Sequence, residues 1–410
     1  MLGLVLTAGG ARGAYQAGVL KRIGELPGIR DGPLPMPIVT GASAGAINGA
    51  MIAARSASFR EATQELARLW VGLRVESVFR TDARSLAACS LGLLRDVVLG
   101  SVLGRTVTQS FFDASPLLEL VRRHFEPQGI PDAIAAGHLY ALAITATSYH
   151  SGRCFTFVQG RAGHPVWSRS RRVVLPVEIT PDHVCASAAI PLVFPPVRVR
   201  SVAGDLYFGD GGLRLVTPFS PAIRLGATRV LAIGIRSQRA ADALSREELG
   251  VAEEAGVQGA TILCPPLAQV CGVFLNAIFL DHLDADLDHL RRMNELVLEY
   301  EERDGGVRGA ERVNAPMRHV EPLVITPSED LALVAQRFAH RMPRLVRYLM
   351  EGLGTPDAQS ADLMSYLLFD AAYTRALVDI GYRDAQQRAD EIEAFLRVPG
   401  LPAASARAAS

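Results

Sequence analysis

Short, uninterrupted apolar runs alternate along the chain with longer stretches in which apolar residues recur every three or four positions. Leu2 to Leu6 is a run of the first kind and predicts a buried strand. A second run, Pro37 to Val39, leads through Thr40-Gly41-Ala42-Ser43-Ala44-Gly45 into an Ala-rich helical stretch ending near Ala50. Leu139 to Tyr149, Cys154 to Val158, Val197 to Val202, Leu206 to Gly209, Arg229 to Ile235 and Leu323 to Thr326 read as further strands, with turns at His150-Ser151-Gly152 and Ala203-Gly204-Asp205. Helical spacing covers Ala14 to Ile23, Arg60 to Leu73, Arg84 to Gly100 and Leu117 to Phe125, the last opened by Ser115 as N-cap and Pro116. Ala186 to Pro196 reads as a short helix broken by proline.

Beyond about residue 240 the texture changes. Ser245 to Glu254 is charged and helical, Leu280 to Glu302 is a long amphipathic helix, and Asp304-Gly305-Gly306 is a polar break. Ser328, followed by Glu329 and Asp330, reads as the cap of another helix, and Met364 to Gly381 is apolar and helical. The organisation expected is a catalytic domain over 1–240, a mainly helical extension packed on it over 241–398, and a disordered, small-residue tail over 399–410.

Composition narrows the function classes. Lys plus Arg and Asp plus Glu number 42 each, so no excess charge points to nucleic acid. At 49% apolar and 20% charged, the chain reads as globular. The five cysteines are scattered, with no C-x-x-C, and read as reduced thiols. No signal-peptide pattern opens the sequence and no apolar run is long enough to span a bilayer. The expected location is therefore cytoplasmic, with contact at a membrane periphery left open. The sequence does not fix the oligomeric state.

Two loops carry candidate chemistry. After the first strand comes Thr7-Ala8-Gly9-Gly10-Ala11-Arg12-Gly13, a glycine-rich turn into a helix, where successive backbone N–H groups make an anion site. It matches neither the dinucleotide nor the P-loop fingerprint, so an oxyanion is the better candidate than a nucleotide phosphate. Gly41-Ala42-Ser43-Ala44-Gly45 is G-x-S-x-G between a strand and a helix, which exposes the serine hydroxyl on a sharp turn; only small neighbours fit there. Adjacent strand-to-helix turns bring both loops to one end of a parallel sheet. None of the nine histidines stands out as a base: His124 and His138 lie in helical or loop contexts, and His282, His289 and His340 in charged helical runs. Asp210, after a strand and before Gly211 and Gly212, is the better base, although an aspartate at such a turn is ordinarily a turn former.

Gly9-Gly10-Ala11-Arg12-Gly13, Gly41-Ala42-Ser43-Ala44-Gly45 and Asp210-Gly211-Gly212, in this order, together with the block from Ala186-Ser187 to Pro191 and Phe194, resemble the patatin-like phospholipase family over roughly residues 2 to 240. The resemblance implies a three-layer α/β/α fold with a mostly parallel sheet, and a serine hydrolase of lipid acyl esters that needs no cofactor or metal. It implies Ser43 as nucleophile, Asp210 as base without histidine, Gly41 and Gly45 as the elbow glycines, Gly211 and Gly212 as support, and Gly9 to Gly13 as the oxyanion hole. Thr7 and Ala8 stand where members of the family often have an acidic residue and a third glycine. Arg12 is read as orienting the loop, as meeting a head-group phosphate, or as a structural ion pair. The alternatives kept are an acyltransferase using the same residues and a lipid- or acyl-binding protein without turnover.

Two further clusters have plain readings. Asp284, Asp286, Asp288 and Glu295 mimic an EF-hand loop, but His289 replaces its glycine and the helical spacing continues, so a solvated helix face is expected rather than a metal site. The apolar window Gly256 to Leu280 reads as core packing ahead of an acyl pocket or a lipid contact.

Overall fold

The strands of the computed structural model are Leu2–Leu6 (β1), Ile38–Ala42 (β2), Ala141–Ser148 (β3), Cys154–Gly160 (β4), Ser168–Arg169 (β5), Arg172–Pro176 (β6), Val197–Ser201 (β7), Gly204–Gly209 (β8), Arg229–Ile233 (β9) and Glu321–Ile325 (β10). The structure describes residues 1–80, 110, 112–169, 172–201, 204–237, 282–303, 318–342 and 360–397. The helices expected at 84–100 and 245–254, the window 256–280, the break at 304–306, the tail from 399 and the division near residue 240 lie outside these residues.

All ten strands join one sheet. Its centre is parallel, in the order β10-β9-β1-β2-β3, and β4 and β8 pair with β3 in the opposite sense. The central strands are buried on both faces, which is why they read as continuous apolar runs. Alternate side chains supply two cores: Leu4, Leu6, Val39, Leu142 and Ile233 face one layer of helices, and Val5, Ile38, Ala143, Val230 and Ala232 face the other.

The first layer contains Gly13–Gly24 (α1), Ala44–Ala54 (α2) and Phe59–Val71 (α3), with the helices 115–124, 129–135, 181–188, 331–337, 371–387 and 389–396. The second is built by Ser220–Arg224 and His282–Arg303, through Ala222, Leu283, Leu287 and Leu290. The expected three layers are thus present. The residues beyond 240 contribute the edge strand β10 as well as helices to both layers, and their apolar side chains share one core with β1 and α1. No described helix is long and apolar enough to cross a membrane.

Several local expectations are corrected. Ser115 is already helical and the N-cap is Ala114, which makes no side-chain capping bond; the Ser115 N–H donates to Asp113 Oδ1 at 2.9 Å. Asp330, not Ser328, caps the next helix by accepting the Ala332 N–H, because Ser328 is engaged by Asp384. The apolar stretch 364–381 is two helices, Ser360–Leu367 and Ala371–Gln387, since Asp370 caps a new helix through the Ala372 and Tyr373 N–H groups. The acidic run in His282–Arg303 is not wholly solvated. Asp286 is buried and accepts the Phe219 N–H at 2.9 Å, and burial pushes its carboxyl up to about 6. No metal-binding cluster of His, Cys, Asp or Glu occurs among the described residues.

Candidate active site

The elbow follows from the way β2 ends. β2 pairs with β3 as far as Ala42 opposite Thr145, and the chain then turns sharply into α2. Ser43 takes up that turn with φ 55° and ψ −125°, a left-handed conformation costly for a residue with a side chain. Strand and helix approach so closely that a Cβ on Gly41 would lie 2.3 Å from the Gly45 carbonyl oxygen. One on Gly45 would lie 2.2 Å from that of Leu6. Both positions require glycine for close approach of backbone to backbone.

The edge of β3 that β2 vacates is taken by β8 from the opposite direction, with Gly209 opposite Thr147. The next residue, Asp210, therefore returns toward the elbow. Its Oδ2 accepts the Ser43 Oγ–H at 2.6 Å, and its Oδ1 accepts the Gly212 N–H at 2.7 Å. Its backbone is fixed as well: the N–H donates to the Ala189 carbonyl, and the carbonyl accepts the Thr147 hydroxyl at 2.8 Å. Asp210 is fully buried and Ser43 is 2% exposed. Burial pushes the Asp210 carboxyl up to about 7 against the opposing effect of the bonds from Ser43 and Gly212, because removing a carboxylate from water penalises its charged form. Gly211 lies so near β3 that a Cβ would meet the Thr145 carbonyl oxygen at 2.0 Å. Tyr149, half exposed, packs its hydroxyl against Gly209, and burial with the nearby Asp210 charge pushes it up to about 12.

Ser187 completes the elbow. Its Oγ accepts the Ser43 N–H at 2.9 Å and donates to the Thr145 carbonyl at 2.5 Å. From sequence, Ser187 stands only inside the block from Ala186 to Pro191, with no role of its own. An isolated serine on a helix carries no signal of a partner 144 positions away. Among the described residues, neither Ser43 nor Asp210 has a histidine as hydrogen-bond partner. His183, the buried one, bonds Thr180 and packs edge-on against Phe157, and burial lowers it to about 4.

The glycine-rich loop after β1 forms a 3-10 turn over Gly10–Arg12. Its N–H groups are not equivalent. Arg12 donates to the Gly9 carbonyl at 3.0 Å, and Gly13 to the carbonyls of Gly10 and Ala11. No hydrogen-bond partner takes the Gly10 and Ala11 N–H groups among the described residues, as expected for the first residues of a helical turn. Gly9 likewise donates to no partner among the described residues, so Gly9, Gly10 and Ala11 keep their N–H groups open while those of Arg12 and Gly13 are spent inside the turn. Gly13 has a packing role, a Cβ there being 2.6 Å from that of Ala44 and 2.9 Å from the Trp70 ring. Arg12 is 2% exposed and turns inward, its Nε donating to Ser365 Oγ at 2.7 Å and its guanidinium lying 4.6 Å from the Tyr366 ring centre. This places Arg12 behind the loop.

A buried polar network stiffens the two loops from below. Asn48 on α2 donates to the Gly13 carbonyl and to Gln16, and accepts the Trp70 indole N–H at 2.8 Å. Gln16 in turn donates to the carbonyls of Thr7 and Ile233. Thr7 thus belongs to the support of the loop.

Gly10 and Ser43 both open onto a cleft whose other walls are apolar, among them Trp70, Leu117, Phe194 and Phe369. A smaller pocket shares Ile47, Leu69 and Leu120 with it and continues toward Met51 and Phe125.

The chain resembles two solved structures remotely. One is VipD from Legionella pneumophila, at 14% identity and a TM-score of 0.30, covering 95% of this chain and 66% of that one. The other is ExoU with SpcU from the type III secretion system of Pseudomonas aeruginosa, at 16% identity and a TM-score of 0.26, covering 90% and 76%. Neither likeness bears weight at these scores, and the chain spans less than two thirds of the VipD chain. No curated protein matches in sequence. The patatin-like phospholipase family model, by contrast, matches residues 4–223, more than half of the 410. That span holds the glycine-rich loop, the elbow serine and the aspartate bonded to it: the chain belongs to the patatin-like phospholipase family.

Proposed function

We propose that the chain is a serine lipid acyl hydrolase in which Ser43 and Asp210 act as a catalytic dyad. The observation that carries this reading is the 2.6 Å bond from Ser43 Oγ to a fully buried carboxylate, at a strained elbow open to an apolar cleft. A carboxylate raised to about 7 is a stronger base than an ordinary aspartate and suits proton transfer near neutral pH. Asp210 takes the Ser43 proton as Oγ attacks the ester carbonyl. The resulting oxyanion is held by the Gly10 and Ala11 N–H groups, each donor contributing about a hundred- to a thousand-fold. Collapse breaks the bond to the leaving alcohol, which takes the proton back from Asp210. Water then gives a proton to the same carboxylate as it attacks the acyl-enzyme, and the fatty acid leaves as Asp210 returns that proton to Ser43 Oγ.

The apolar cleft fits the acyl chain, and an ester held in a bilayer requires peripheral contact with the lipid surface. Hydrolysis of p-nitrophenyl butyrate and labelling by a fluorophosphonate test the reading with wild type, Ser43→Ala and Asp210→Asn. Turnover and labelling that vanish in folded Ser43→Ala support it. Wild type that neither turns over nor labels, on soluble esters or on phospholipid vesicles, overturns it. Product analysis with an added lysolipid separates hydrolysis from acyl transfer.

A further inference from the structure

The proposed oxyanion loop is braced by a segment more than 350 residues away. Arg12, inside the 3-10 turn, reaches out of it to Ser365 at 2.7 Å and stacks on Tyr366. Gly10 is held from the same side. Its φ is 52°, and the Tyr366 carbonyl oxygen occupies the place where a side chain would begin, 2.5 Å from an ideal Cβ. The bracing segment is itself fixed. Ser365 is fully buried, the Tyr373 hydroxyl donates to the Leu331 and Ser365 carbonyls, and Thr374 donates to the Trp70 carbonyl at 2.7 Å. Phe369, from the same segment, lines the cleft with Ser43. The helices after residue 360 therefore touch both the loop that carries the Gly10 and Ala11 N–H groups and the wall of the cleft beside Ser43.

We infer that Arg12 and Ser365 are positioning residues for the reaction, setting the Gly10 and Ala11 N–H groups at the angle that receives an oxyanion. This rests on the hydrolase reading above. A glycine at positive φ has several backbone conformations within reach, so the loop needs an external partner to keep one. Donors stabilise a transition state only when they are already oriented as the charge develops, and a shift of about 1 Å is enough to cost about a hundred-fold. The C-terminal helices would thus be part of the catalytic unit and not a separate appendage.

The test compares wild type with Ser365→Ala, Ser365→Thr and Arg12→Met in the full-length chain, each checked for folding by circular dichroism and thermal unfolding. kcat and KM are measured on p-nitrophenyl butyrate, together with inhibition by an alkyl trifluoromethyl ketone, whose serine adduct carries an oxyanion. The expected result for Ser365→Ala is a fall in kcat of about ten- to a hundred-fold with KM within about threefold, and inhibitor binding weakened by a similar factor. Ser365→Thr, which keeps the hydroxyl, recovers most of the loss. A merely structural contact would lower the unfolding temperature without this parallel loss of kcat and inhibitor affinity. A folded Ser365→Ala with wild-type kcat and inhibitor binding overturns the inference while leaving the hydrolase reading intact. Should Arg12→Met fail to fold, Ser365→Ala decides alone. If wild type shows neither turnover nor fluorophosphonate labelling, the hydrolase reading falls and the inference falls with it.

Discussion

Ser187 Oγ lies 2.9 Å from the backbone nitrogen of Ser43 and accepts its N–H, while its own hydroxyl proton goes to the Thr145 carbonyl. One side chain thereby ties the strained elbow to the neighbouring strand. Ser187→Ala leaves a buried N–H unpaired, which costs about 1–3 kcal/mol. The variant should unfold at lower temperature and lose kcat more than KM, since the elbow is free to relax. Thermal unfolding with steady-state kinetics checks both, and wild-type values in each would show that the elbow holds itself.

The Asp210 carboxyl, raised to about 7 by burial, sets a pH dependence. If Asp210 is the base, kcat/KM rises with pH through an apparent pKa near 7. Asp210→Asn removes the base and should lower kcat by about 10²–10⁴-fold. A flat profile between pH 5 and 8 in wild type would count against the assignment.

The same shift has the opposite sign for stability. Between the unfolded value of 3.8 and the folded value of about 7, the folded state binds the proton and the unfolded state does not. This group's contribution to stability therefore declines as pH rises through that window. Asp210→Asn, neutral at all these pH values and still able to accept the Gly212 N–H, should be more stable than wild type at pH 8, with the gain shrinking toward pH 4. Unfolding midpoints in denaturant at both pH values measure it.

Gly45 has no room for a side chain, the Leu6 carbonyl oxygen lying 2.2 Å from an ideal Cβ. Gly45→Ala must push α2 off β1 at a cost of about 1–3 kcal/mol or more, and carries Ser43 away from Asp210. The expected outcome is a lower melting temperature and loss of fluorophosphonate labelling in whatever remains folded.

The shared wall of the two cavities, Ile47, Leu69 and Leu120, should limit how deep an acyl chain reaches. Leu69→Trp fills that junction. Its kcat/KM should stay near wild type on a butyrate ester and fall about tenfold or more on a decanoate ester. An equal effect on both chain lengths would place the acyl chain elsewhere.

Much of the parallel sheet and its flanking helices was legible in the sequence because buried strands must be apolar on both faces and helices must repeat their apolar residues. β1 was read at its true limits, and the Ala-rich stretch after Ser43 is helical as expected. Strands β5 and β6 escaped because Ser168–Arg169 and Arg172–Pro176 mix arginine with apolar residues and carry no clean alternation. The helix starts near Ser115 and Ser328 read from sequence as serine caps, whereas the N-caps are Ala114 and Asp330, since several residues there can accept the same N–H and packing chooses among them.

At the site, the local turns follow from a few neighbouring residues. G-x-S-x-G and a run of small residues can close a strand onto a helix in few ways, so the turns at Ser43 and over Gly9–Gly13 are legible through steric necessity. What meets those turns depends on packing across the whole fold. Asp210 reaches Ser43 because β8 runs against β3 on the edge that β2 gives up, and strand direction is not written in any short segment. Ser187 and Ser365 sit on helices 144 and more than 350 residues from the loops they brace, held by hydrogen bonds whose partners no periodicity reveals. Local sequence fixes backbone shape through sterics over a few residues; the pairing of polar groups across the fold is settled when the core packs and each buried donor must find an acceptor.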